Sequence, residues 1–175
     1  MTAPEFSRPV RIDTLGEAPR TLSIEADEAE RAALARRFGF LTLDRLAADI
    51  ALSRKNEWVS ARGTLRAALT QSCVATGEPV PEEVEEAFEV EFRPHPRPGD
   101  ADEEVELGGK ELDVAFYDGA MVDVGEAVAE TLSLAVEPYP RAPGSDEALR
   151  AAGVKDEQEA GPFSALAALK DKLRP

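Results

Sequence analysis

The sequence predicts an α+β fold, an antiparallel, barrel-like sheet with flanking helices. Two observations carry that expectation. Segments 57–72 and 80–92 alternate apolar and polar residues with period two on either side of a Gly/Pro turn. Segments 28–38 and 124–136 each open on an acidic capping pattern and then repeat apolar residues at helical spacing.

Taken in order, EFSRPVRIDTL gives a short strand near 8–12, with Pro9 favouring an edge. TLSIEA, near 21–26, is its hairpin partner across the GEAP turn. Asp27 and Glu30 cap a helix whose Ala33, Leu34 and Phe38 share a face, and Gly39 stops it. Thr42 can cap a second, short helix over 43–50 carrying Leu43, Leu46, Ala47 and Ile50. Trp58 opens the long strand. Val59, Ala61, Gly63, Leu65, Ala67 and Leu69 fall on one face, with Ser60, Arg62, Thr64, Arg66 and Thr70 on the other.

CVATGEPV then turns the chain, and Val84, Phe88, Val90 and Phe92 alternate against Glu83, Glu85, Glu89 and Glu91. The Pro-, Gly- and acid-rich stretch 93–109 reads as an exposed loop. Strand alternation resumes over 112–117. Asp123 and Glu126 form the second capping pattern, ahead of a helix that Pro138 and Pro140 end. Together these elements predict a single α+β domain over 1–141. Residues 142–161 are polar and unpatterned, a flexible linker. Residues 162–173 form a short amphipathic helix with Pro162 in its first turn; alone it is marginal, so it is expected to dock on apolar surface.

Charge narrows the function. The formal net charge is −15, and it is divided unevenly: residues 1–72 carry net +1 and residues 73–175 net −16. Nucleic-acid binding without sequence preference runs on cations that release counterions. This composition argues against it and toward basic partners. No DNA partner is expected. One cysteine cannot form an internal disulfide, the N-terminus has no long apolar stretch, and no run of eighteen apolar residues occurs. A cytoplasmic location with no membrane contact is expected.

The search for chemistry yields little. Cys73 and His95 stand 22 residues apart with no second soft ligand, too few for structural zinc, so no metal is expected. A Cys–His pair could in principle do acyl chemistry. His95, however, lies in a proline-flanked loop, and the Glu78 carboxylate beside Cys73 disfavours a thiolate. The plainer reading of Cys73 is a small, part-buried turn residue. The acidic runs could in principle hold metal or hydrolyse glycosides, but they alternate along a strand or crowd a loop, as a solvated face does. Neither phosphate-cradling glycine pattern occurs, and no cofactor is expected. Trp58, Arg62 and Arg66 share one strand face that could stack and pair with single-stranded RNA; an ordinary wet sheet face is the competing reading.

The string from Cys73 through Val84, the segment YDGAMVDVGEAVAETLSLAVEPYPR and the closing PFSALAALK resemble the YceD family of large-ribosomal-RNA-subunit accumulation proteins, in the version common in alphaproteobacteria. The resemblance covers most of residues 8 to 173. It implies a role in accumulation or maturation of large-subunit ribosomal RNA and no enzymatic reaction. Many members carry Cys-x-x-Cys-x-x-Pro at the central turn. Here Cys73 and Pro79 fit that pattern while Thr76 replaces the second cysteine, so a metal or redox role of the pair does not carry over. Thr76 and Gly77 can still shape the loop by a hydroxyl bond and backbone freedom.

The resulting expectation is a non-enzymatic ribosome-biogenesis factor. It would act through contacts of Glu83, Glu85, Glu89 and Glu91 with a basic ribosomal protein or assembly factor. The alternative is a direct, structure-specific binder of ribosomal RNA through Trp58, Arg62 and Arg66. An enzyme is the third class, and the sequence offers no catalytic set for it.

Overall fold

The computed structural model describes residues 4–96 and 113–154. Its elements, in chain order, are β1 (Pro9–Arg11), a 3-10 turn (Ile12–Thr14), β2 (Arg20–Glu25), α1 (Glu28–Phe38), β3 (Thr42–Lys55), β4 (Trp58–Ser72), β5 (Pro79–Pro94), β6 (Asp113–Tyr117), β7 (Met121–Asp123), α2 (Val124–Ala135) and α3 (Ser145–Ala151). They fall into two compact units. One is drawn from Met1–Gln71 and Pro81–Pro138, the other from Ser72–Val80 and Tyr139–Pro175.

The first unit holds an open five-stranded sheet in the order β2-β3-β4-β5-β6 and a two-stranded sheet of β1 with β7. The α+β class stands, but the barrel does not: no sheet closes on itself, and β2 and β6 are its edges among the described residues. Two pairings explain why. β1 runs antiparallel to β7, with Pro9 opposite Asp123, instead of forming the expected hairpin with β2. β6 joins the far edge parallel to β5, with Val90 opposite Asp113 and Arg93 opposite Phe116, so the sheet is mixed.

The expected helix over 43–50 is also overturned, because those residues belong to β3, paired with β2 on one side and β4 on the other. The reason is a bulge. The β3–β4 register slips between Leu43 and Arg45, leaving Asp44 as the extra residue. Leu43 and Leu46 therefore both turn inward although three residues apart. In the sequence this imitates helical spacing. Beyond the bulge, Leu46, Ala48, Ile50 and Leu52 are buried in strict alternation.

The inner face of the sheet meets both helices in one core. Leu34 and Ala35 of α1, and Val124, Ala127, Val128 and Leu132 of α2, join Val59, Leu65, Leu69, Phe88 and Phe92 there. Asp27 and Glu30 close a reciprocal capping box on α1, and Gly39 ends that helix at φ +75°. Asp123 caps α2, accepting from the backbone N–H groups of Gly125 and Glu126 at 3.1 and 3.2 Å. The Glu126 carboxylate does not return to the cap; it takes two bonds from Arg37. Asp123 also accepts from Ser7 Oγ and from Arg8 N, which lashes the first residues of the chain to α2. Gly125 makes this approach possible, since a Cβ there would lie 2.2 Å from the Phe6 carbonyl oxygen.

In the second unit, α3 occupies 145–151, inside the stretch read as a linker. The expected helix over 162–173, linker residues 155–161, loop residues 97–109 and Leu112 lie outside the described residues.

Candidate functional site

On the outward face of the sheet, the residues proposed for RNA and those proposed for a basic partner interlock. Arg62 donates to Glu89 at 2.6 Å. Arg66 donates to Glu85 at 3.1 Å and to Asp49 on β3 at 3.2 Å. A step of four along β4 thus meets a step of four backwards along β5. The cross-strand pairs form a ladder in which each arginine already has a carboxylate. All these side chains are partly solvent-exposed, so each pair contributes only about 0.2–1 kcal/mol. Their larger effect is to neutralise Arg62 and Arg66 locally. Glu83 is exposed on the same strand, and Glu91 bonds Arg93 at 2.6 Å.

Trp58 stands half-exposed at the start of β4, with the Arg93 guanidinium 4.7 Å from its ring centre. Arg93 is opposite Phe116 on β6, which is also half-exposed and stacks with His95 at 5.3 Å between ring centres. The Tyr117 hydroxyl donates to the Glu57 carbonyl at 2.6 Å, tying the end of β6 to the residue before Trp58. Trp58 was legible as a surface aromatic. Arg93 and His95 were not joined to it, because residues 93–109 read as a loop in the sequence, whereas β5 runs on to Pro94 beside β4; Phe116 was not, because only the parallel β5–β6 register brings it alongside.

A cleft of about 370 Å³ lies near β1 and β2, lined by Arg8, Arg11, Arg20 and apolar residues including Leu22, Ile24 and Leu52. Arg8 is engaged there by Glu30 and the Glu25 carbonyl, and Arg11 by Asp13.

In the second unit, the chain from Cys73 to Glu78 is a closed turn. Cys73 N donates to the Glu78 carbonyl at 2.7 Å and Gly77 N to the Cys73 carbonyl at 2.9 Å. Gly77 takes φ +77°, a conformation that costs other residues roughly 1 kcal/mol or more. Glu78 N donates to the Thr76 hydroxyl at 3.3 Å. Val74 N bonds the Pro140 carbonyl, and Ala142 N donates to the Cys73 sulfur at 3.3 Å. The thiol is only 3% exposed. The Ala142 N–H, followed by the Thr76 hydroxyl, pushes it down to about 7 against the opposing effect of burial. Sequence reasoning weighed only the Glu78 carboxylate, because the donor that matters lies 69 positions away. Thr76, standing where a second sulfur would be, closes the turn on Glu78 instead, its hydroxyl accepting from Glu78 N and donating to the Glu78 carboxylate at 3.2 Å. Pro79 begins β5 directly after the turn.

Among the described residues no group of three or more His, Cys, Asp and Glu side chains could hold a metal ion. No described helix is long and apolar enough to cross a membrane. A family model described as "Large ribosomal RNA subunit accumulation protein YceD" matches residues 61–170. Comparison with curated proteins and comparison with solved structures gave no match. The match covers well over half of the chain and takes in most of β4, the Cys73 turn, β5, β6, β7 and α2. YceD proteins are non-enzymatic and associated with ribosome biogenesis. The chain belongs to the YceD family of large ribosomal RNA subunit accumulation proteins.

Proposed function

We propose that the protein supports accumulation of large-subunit ribosomal RNA as a cytoplasmic factor that docks a basic ribosomal protein or assembly factor. The docking surface is the outward face of β5, with Glu83, Glu85, Glu89 and Glu91. One observation carries this reading: Arg62 and Arg66 already hold Glu89, Glu85 and Asp49, in partly exposed pairs that a partner's cations can replace one for one. Phosphate binding draws its free energy from cations available to displace counterions, and the two arginines considered for RNA are held by carboxylates. The net −16 of residues 73–175 adds a field that attracts cations and repels phosphate.

The test is a pull-down from cell extract with nuclease and salt controls. Nuclease-resistant, salt-sensitive recovery of basic ribosomal components supports the reading; recovery of no ribosomal component under any condition overturns it. A double variant, Arg62→Ala with Arg66→Ala, sharpens the choice. It frees Glu85, Glu89 and Asp49, so capture of a basic partner should strengthen. Weakened, nuclease-sensitive capture would instead favour direct RNA contact.

A further inference from the structure

Exposed large aromatic side chains leave ring surface in water that a partner's side chains can cover. Trp58 on β4 and Phe116 on β6 are 51% and 52% exposed, with β5 between them. They flank Arg93 at one end of the outward sheet face, Arg93 lying over the Trp58 ring and opposite Phe116 in the β5–β6 register.

We infer that Trp58 and Phe116, with Glu57 next to Trp58 in the chain and the Asp118 carboxylate near the His95 ring stacked on Phe116, form a seat for arginine side chains on an extended segment of a basic protein. This rests on the docking role proposed above and names the place on the sheet where the partner's cations are read. An aromatic face attracts a guanidinium through its quadrupole, and arginine stacks flat upon it. The protein already displays this geometry with its own side chain: Arg93 lies 4.7 Å from the Trp58 ring centre while bonding Glu91 at 2.6 Å. An incoming arginine would repeat that arrangement on exposed ring surface. Glu57 is exposed directly before Trp58, and the Tyr117 hydroxyl bond holds it near the end of β6. The Asp118 carboxylate is 88% exposed, 3.7 Å from His95 Nε2.

The same rings could stack nucleic-acid bases, and charge decides between the two. Lys55, opposite Trp58 in the β3–β4 register, and Arg93 stand against Glu57, Glu91 and Asp118, a slight acidic excess. The chain's net −15 then sets the sign of the surrounding field, which favours a cationic peptide and opposes a phosphate backbone.

Trp58 is the sole tryptophan, so the full-length protein reports on its own site. Its fluorescence would be titrated with a twelve-residue peptide of alternating arginine and glycine, the lysine counterpart, and a twelve-nucleotide single-stranded RNA. The arginine peptide should give a saturable change, and the lysine peptide should bind about three- to tenfold more weakly. The RNA should give no saturation. Phe116→Ala should weaken the arginine peptide by about three- to tenfold. Asp118→Asn, at a position exposed enough to leave folding intact, should weaken it by about twofold. Unchanged affinity in both variants, or RNA binding tighter than the arginine peptide, overturns the seat. If the seat fails while the pull-down still recovers basic ribosomal components, the docking role stands and only its location is wrong.

Discussion

The backbone N–H of Ala142 donates to the sulfur of Cys73 at 3.3 Å, and the thiol titrates near 7 in consequence. An unfolded cysteine titrates at about 8.5. Between those values the unfolded chain binds more protons than the folded one. The thiolate's contribution to stability is therefore absent below about 7, grows as pH rises and is complete above about 8.5. The melting temperature of the native protein minus that of Cys73→Ala should increase between pH 6 and pH 9. Thr76→Val removes a hydroxyl donor, so it should move the thiol's titration upward, read by the pH dependence of its reaction with a small alkylating agent.

Arg62 and Glu89 offer a charge-swap test. Arg62→Glu sets like charges opposite one another across β4 and β5 and should lower stability by about 0.2–1 kcal/mol. The exchanged pair, Arg62→Glu with Glu89→Arg, should recover most of that loss at low salt. Urea denaturation of the four species gives the coupling directly.

Leu46 separates a strand from the helix its sequence imitates. It is fully buried, directly beyond the bulge at Asp44. Leu46→Ala should cost about 2–5 kcal/mol in denaturant unfolding. Ala47→Ser, at the next position on the opposite face, should cost little, whereas a helix packed by Leu46, Ala47 and Ile50 would feel both.

Asp123 should matter beyond a simple cap. Asp123→Ala removes the acceptor for Gly125, Glu126, Arg8 and Ser7 together, at a cost of about 1–2 kcal/mol or somewhat more. Asp123→Asn keeps one carbonyl acceptor and should lose less. Thermal unfolding of both variants checks the order.

Much of this was readable in the chain. β4 and β5 announced themselves because one wet face and one dry face impose period two, and the residues named for the inner face, Val59, Leu65, Leu69, Val84 and Phe88, are the buried ones. α1 was legible from a local bond, Asp27 with Glu30. What escaped was non-local. A bulge at Asp44 disguised β3, β1 found its partner far along the chain, and β6 entered parallel. The same limit applied at the site. Arg62 and Arg66 could be placed on a face, but not the carboxylates they hold. Cys73 could be placed in a turn, but not the donor that reaches it from Ala142.

The pairing of β1 with β7 has a consequence during synthesis. The bond from Arg8 N to the Asp123 carboxylate spans 115 positions, and the carbonyl of fully buried Phe6 lies against Gly125 in the first turn of α2. A chain emerging from the ribosome therefore carries β1 unmated until the residues up to Asp123 have been made. At roughly 5–20 residues per second, the opening segment waits several seconds or more in water. The three-residue brevity of β1, its Pro9 and Arg11, and Arg8 just before it leave little edge for another strand to pair with in that interval.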